Sequence, residues 1–168
     1  MESELQELAL KILDEHRIMC IATNRNDGWP QATMVGYANS RLFLYFFVAR
    51  LSQKFANIKR DPRVSITVGS DFSDPAKIRG LSMAGTASIV TARDECDRAE
   101  FAFLERFPEF KSWPRPNFAV SSLMKISPKV FSIIDYSKGF GHSDLIMAQD
   151  GTLRDVLRHG SHWLGHSK

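Results

Sequence analysis

Cysteine is scarce in this chain: two thiols, Cys20 and Cys96, in 168 residues. Two cannot build the multi-disulfide framework of a small secreted domain, so stability must rest on an apolar core. Cys20 lies in the apolar run Ile18–Ala22 and Cys96 in an amphipathic segment. Both read as buried, reduced thiols. No apolar run approaches the roughly 20 residues that span a bilayer. The stretch from Met1 to His16 lacks the basic start and apolar middle of a secretory leader, so a cytoplasmic protein without a membrane partner is expected. Dense Lys/Arg blocks are absent and the net charge is only +3, which argues against a nucleic-acid partner. No catalytic dyad or triad stands out either, and no Cys/His cluster has convincing metal-ligand spacing.

What is present is ordinary for one globular domain: 43% hydrophobic residues, 24% charged, and 12 phenylalanines. Ser3-Glu4-Leu5-Gln6 reads as a capping box, and Leu5, Leu8, Ala9, Ile12 and Leu13 recur at helical spacing to about His16. Three short strands follow: Ile18–Thr23, Pro30–Tyr37 and Leu42–Val48. Asn26-Asp27-Gly28 makes a hairpin between the first two, and Asn39-Ser40 another turn. The third strand is apolar on both faces and is expected to be central. Phe43, Leu44, Tyr45, Phe46 and Phe47 cannot all fit inside one small barrel, and those that point outward form a patch that a second copy of the chain is expected to cover.

Leu51 to Arg60 reads as a short helix with Ser52 as N-cap and Asp61-Pro62 as its stop. Strands are expected over Arg63–Val68 and Ile78–Val90, the latter holding Gly80 and Gly85, whose place inside a strand signals a bulge or a close approach. Thr91 would cap a helix with an apolar stripe of Cys96, Ala99, Phe103 and Phe107. One or two strands broken at Pro128 are expected over Leu123–Tyr136, then a loop to Ser143. The chain is expected to end in a short helix from Thr152 to about Arg158 and a tail. The domain would occupy residues 1–145 and this C-terminal segment residues 146–168. Short strands joined by hairpin signals predict a mainly β, antiparallel barrel with peripheral helices.

Ser52-Gln53-Lys54 carries the chemistry. A hydroxyl and an ammonium at a helix start, beside unpaired N–H groups, suit a phosphate, and Arg50 would add a third contact. The plainer reading has Ser52 capping its helix while Arg50 and Lys54 face water.

Phe47-Val48, then Ser52-Gln53-Lys54, then Asn57-Ile58-Lys59-Arg60-Asp61-Pro62-Arg63-Val64-Ser65, preceded by Asp27-Gly28-Trp29-Pro30 and Thr33-Met34-Val35-Gly36-Tyr37, resembles the pyridoxamine 5'-phosphate oxidase-like family of FMN-binding split barrels. The resemblance covers residues 5 to 92 well and loosely continues to Tyr136. It implies a Greek-key split β-barrel and a homodimer with FMN at the subunit interface. Thr33, Met34, Val35 and Gly36 would line the flavin and its ribityl chain. Phe47 and Val48 would sit near the ribityl phosphate, Arg50, Ser52 and Lys54 would hold the phosphate, and Asn57 would reach the ring edge. Trp29, Tyr136, Phe140 and His142 are candidates for contact with a small-molecule substrate or the partner subunit.

The chain departs from the family where the vitamin B6 phosphate would bind. A family lysine corresponds to Ala38, helix positions to Phe103 and Phe107, and an arginine near the C-terminus to Phe140. A doubly charged phosphate needs several charge-assisted donors, so oxidation of pyridoxine phosphate is not expected. An FMN-phosphate arginine of the family corresponds to Thr33, which leaves a deazaflavin open as the cofactor. His159, His162 and His166 near the C-terminus keep haem as an alternative, although Gly160 and Gly165 interrupt any helix there. Two functions remain: a flavin oxidoreductase, in which the cofactor does the chemistry, or a non-catalytic flavin-, deazaflavin- or haem-binding module for stress response or sensing.

Overall fold

Strand β1 (Ile18–Asn24) alternates buried and half-buried residues, with Met19 and Ile21 fully enclosed. A computed structural model of the chain describes residues 2–157, apart from 113 and 115. Helix α1 (Glu2–Glu15) precedes β1, and β2 (Pro30–Gly36), β3 (Ala38–Ser40) and β4 (Phe43–Ala49) follow it. Then come α2 (Gln53–Arg60), β5 (Arg63–Gly69), β6 (Arg79–Ile89), α3 (Arg93–Arg106), β7 (Ser121–Asp135), β8 (Ser143–Gln149) and β9 (Thr152–Leu157). All strand pairs are antiparallel. They form one sheet in the order β2-β1-β5-β6-β7-β4-β3, with β8 added to β7 and β9 to β8. The sheet curls so that β2 returns towards β4 without forming a ladder with it. This is the mainly β split barrel that the hairpin signals and the resemblance predict.

Fifteen-residue β7 organises the sheet. One edge runs the length of β6; the other pairs β4 through residues 121–126 and β8 through residues 130–134. Pro128 falls in the gap between those two partners, where its missing N–H costs no ladder bond. Opposite it the register shifts by one residue at Ala84/Gly85. Gly85 is required there, because a Cβ would stand 2.7 Å from the Ser127 carbonyl oxygen. The strand is therefore continuous, not broken at the proline, and the glycine inside β6 marks the close approach its position signalled.

Inward residues of the barrel (Ile21, Phe46, Ile66, Met83, Ile126, Phe131) pack with Leu5, Ala9, Ile12 and Leu13 of α1. A second cluster lies outside β4, where α3 lays Ala99, Phe103 and the following Phe107 against Tyr45, Ala38 and Leu123. This corrects one expectation. Of the outward aromatics of β4, Tyr45 is buried in the cluster built by the chain's own α3, and Phe43 and Phe47, half-buried, pack against it, so most of the patch is occupied without a second copy. The helix supplies the apolar face that the sequence reading left unassigned.

Three other expectations change. Residues 152–157 form strand β9, not a helix: Asp150 and Gly151 both take positive φ, at 52° and 74°, and turn the chain back along the open edge of β8. The helical spacing of the leucines and valine there is overridden by that edge. Strand β8 occupies residues read as loop or tail, with Ile146 wholly buried. Thr91 does not cap α3; Ala92 holds that position without a side-chain bond. His159, His162 and His166 lie outside the described residues.

Candidate binding site at the split of the barrel

The split follows from the register. Strand β3 pairs with β4 only from Ala38↔Tyr45 to Ser40↔Phe43. Upstream of Ala38, β2 pairs with β1 alone. The edge of β2 over Thr33–Gly36 therefore faces the edge of β4 over Phe46–Ala49 with no ladder between them. Backbone groups on these facing edges are free to meet the polar rim of a flat ligand.

Antiparallel pairing fixes which side chains face where. Thr33 and Val35 stand opposite the buried Ile21 and Met19 and point inward; Val48, 5% exposed, joins the same core. Met34 and Gly36 stand opposite Cys20 and Ile18 on the outer face, where Met34 is 67% exposed. Phe47 is also outward, its ring 5.1 Å from that of Phe103. The six strand residues thus divide into three inward and three outward; Met34 alone of them is exposed, Val48 is buried and the other four are half-buried. Thr33 Oγ1 is buried without a hydrogen-bond partner, as is Ser122 Oγ across from Val48.

Helix α2 begins three residues after β4 and packs on β1 and β4. The Ser52 hydroxyl accepts from the Phe55 amide at 3.2 Å and lies 2.7 Å from the Ala49 carbonyl, to which it donates. Its one proton is therefore committed to the cap. The Gln53 and Lys54 amides in the same turn have no acceptor among the described residues. Lys54 is half-buried and makes no ion pair among the described residues; burial lowers the pKa of its ammonium, with an opposing influence from nearby Cys20. Arg50 spends one nitrogen on the Ser121 carbonyl at 3.2 Å and is otherwise exposed.

Asn57 is 2% exposed and fully bonded. It donates to Thr23 Oγ1 at 3.0 Å and Gln31 Oε1 at 3.1 Å, and accepts from Gln53 Nε2 at 2.8 Å. It clamps α2 to the β1–β2 hairpin, so a contact with a ring edge would have to break this set. Trp29 sits in the hairpin turn, 73% exposed. Tyr136, Phe140 and His142 follow the far end of β7, away from the end that pairs β4. Phe140 is 94% exposed and its ring lies 5.4 Å from that of Tyr136. His142 bonds Asp144 at 3.2 Å. Burial tends to raise the Asp144 pKa, but Lys138 and His142 outweigh it and hold the carboxylate low. Within one chain these residues do not join the split.

Beside Gly36 and Phe47 opens a cavity of about 530 Å³, walled by Ile18, Phe103, Leu104, Phe107 and Phe110 with Glu100 and Lys111 in its lining. Phe103 and Phe107 were expected as part of the apolar stripe of this helix and at the positions of lost phosphate ligands, not as the wall of a cavity; Ile18, Leu104, Phe110 and Lys111 were not singled out. The signal was the 103/107/110 spacing of phenylalanines, which continues the buried stripe of α3 past its end.

The architecture is a split barrel with a basic helix start and an aromatic cavity beside its opening. The chain belongs to the pyridoxamine 5'-phosphate oxidase family, whose model matches residues 5–124. No curated protein matches it. Among solved structures it is similar to a heme binding protein from Mycobacterium smegmatis, with 24% identity and a TM-score of 0.72 over 84% of this chain; the chain spans 57% of that protein's length. General Stress Protein 26 from Bacillus anthracis is 25% identical with a TM-score of 0.62, over 78% of this chain and 94% of that one. A FAD-binding protein from Mesorhizobium loti is 20% identical with a TM-score of 0.60, over 74% and 90% of the two chains. The heme-binding and FAD-binding proteins share the fold; their ligands are not thereby assigned here. No helix among the described residues is long and apolar enough to cross a membrane.

Proposed function

We propose that the chain binds FMN at the split and acts as a flavin oxidoreductase. The observation that carries this reading is Lys54: a half-buried ammonium that has no acidic partner among the described residues, beside two amides with no acceptor among them at the start of α2. An unpaired cation kept partly from water is unfavourable unless an anion joins it. The donor set fits a phosphate monoester: Lys54, the Gln53 and Lys54 amides, and the unspent nitrogens of Arg50. Ser52 would contribute only by giving up its bond to Ala49. The free strand edges and the outward Met34 and Gly36 suit the body of a flat ring. Bound there, the flavin would supply hydride or electron transfer, and the protein's part is to hold the phosphate, orient the ring and limit water.

A deazaflavin phosphate would use the same donors. Haem fits the adjoining cavity poorly, since no histidine, cysteine, methionine or tyrosine is among its described lining residues. An absorption spectrum of the protein as purified, followed by titration with FMN, tests the cofactor: flavin bands with stoichiometric uptake support the reading, and a Soret band or no uptake overturns it. Consumption of reduced nicotinamide by the loaded protein then separates an oxidoreductase from a binding module.

Homodimerisation belongs to the same proposal and now rests on a different surface. The outer face of the β1–β2 edge exposes Ile18 (44%) and Met34 (67%) beside the proposed ring position. Light scattering of the holoprotein should give about twice the 19.0 kDa chain mass. A monomer that binds flavin stoichiometrically would remove the second copy from the site.

The protein is not expected to oxidise pyridoxine or pyridoxamine 5'-phosphate. Ala38, Phe103 and Phe107 are packed together in an apolar cluster. Robust pyridoxal phosphate formation by the FMN-loaded protein would contradict this.

A further inference from the structure

We propose that the cavity beside Gly36 and Phe47 binds an uncharged, planar aromatic molecule in preference to phosphorylated ones. The binding itself stands on the cavity alone; only its use as a substrate site rests on the flavin reading above.

Four phenylalanine rings run in sequence along one wall. Phe47 and Phe103 are 5.1 Å apart, Phe103 and Phe107 5.9 Å, and Phe107 and Phe110 5.3 Å, the last two pairs nearly parallel at 20° and 10°. The Arg17 guanidinium lies 4.3 Å from the Phe107 centroid and is itself paired to Glu109. This holds the middle of the row in place. Gly36 lets Phe107 lie against β2, since a Cβ there would stand 3.1 Å from the Phe107 Cζ. Ordered aromatic faces favour offset or edge-to-face contact with another flat ring. The volume of about 530 Å³ is within the usual range for small-molecule pockets.

Charge decides against a phosphate. Arg106, the arginine of this part of α3, is mostly buried and spends one nitrogen on the Leu13 and His16 carbonyls, both at 2.6 Å, at the end of α1. Arg17 is committed to Glu109. Lys111 is the one cation among the described lining residues, and it shares the lining with the acidic Glu100. Among the described lining residues a doubly charged ester would meet one exposed ammonium and a carboxylate, where several converging donors are needed.

The test uses the full chain and 2-naphthol, which is uncharged at neutral pH and does not alkylate thiols. Equilibrium dialysis on FMN-loaded protein, in which the flavin site is filled, should show saturable binding. Leu104→Trp, which puts an indole into the half-buried mouth of the cavity, should weaken it about tenfold. Phe110→Ala, at an exposed end of the aromatic row, should weaken it several-fold and serves if Leu104→Trp does not fold. Pyridoxine 5'-phosphate should bind at least tenfold more weakly than 2-naphthol. Equal 2-naphthol binding by wild type and both folded variants, or preferred binding of the phosphate ester, overturns the proposal. If the protein takes up no FMN but still binds 2-naphthol in a Leu104-dependent way, the flavin reading alone fails. If it binds FMN and the variants do not alter 2-naphthol binding, the cavity assignment alone fails.

Discussion

Replacing Lys54 with Met should weaken FMN binding about ten- to a hundredfold, corresponding to the loss of roughly 1.5–3 kcal/mol from one charge-assisted contact. Methionine keeps most of the apolar stem, so the half-buried packing survives and the charge alone is removed. The apo-protein should be no less stable, because the ammonium has no ion-pair partner among the described residues to lose and its burial is unfavourable. Its pKa is lowered from 10.5. Affinity of the wild type for FMN should therefore fall as pH rises, beginning below the ordinary lysine range, as the cation is neutralised; Lys54→Met should lack this decline. Fluorescence titration of FMN into both proteins, with melting curves of the apo-forms, measures each part. Unchanged affinity in Lys54→Met would remove the phosphate from α2.

That experiment bears on what the sequence could and could not disclose. Local chemistry was legible. The Ser52 cap, the Asp61-Pro62 stop of α2, the Asn26-Asp27-Gly28 turn and the close approach at Gly85 follow from conformational rules that need only a few neighbours. The strands expected at Ile18–Thr23 and Arg63–Val68 are β1 and β5, each burying alternate residues. Long-range effects were not legible. Residues 152–157 carry a helical spacing, yet a free edge of β8 and a tight turn with two positive φ angles made them strand. Phe43, Tyr45 and Phe47 looked like an interface because nothing nearby in sequence covers them; α3, some fifty residues on, builds the cluster they pack in. The site shows the same limit. Thr33 to Gly36 form one motif in sequence, but the two-residue period of a strand sends Thr33 and Val35 into the core and Met34 and Gly36 outside. Arg106, next to Phe107 in sequence, is drawn away from the cavity by the Leu13 and His16 carbonyls at the end of α1, a partnership no local pattern discloses.

Asn57 separates a structural from a ligand-binding role most sharply. Its three hydrogen bonds join α2 to Thr23 on β1, Gln31 on β2 and Gln53 one helical turn back. Leucine has a similar shape but neither donates nor accepts. Asn57→Leu would leave the Thr23 hydroxyl, 2% exposed, and the Gln31 carbonyl without their donor. Buried groups left unpaired cost about 1–3 kcal/mol each, so a total of about 2–4 kcal/mol is expected with Gln31 only partly enclosed. For a chain of this size that lowers the melting temperature by roughly 5–15 °C. The loss should appear in the apo-protein, before any cofactor is added. FMN binding should weaken as well, because α2 carries Lys54 and loosening its anchor to the hairpin would blur the position of the ammonium. Lys54→Met and Asn57→Leu should thus differ in kind: the first changes affinity at constant apo stability, and the second changes both. An Asn57→Leu apo-protein that melts with the wild type but binds FMN weakly would instead put the Asn57 amide on the ligand, and the clamp between α2 and the hairpin would not be its main role.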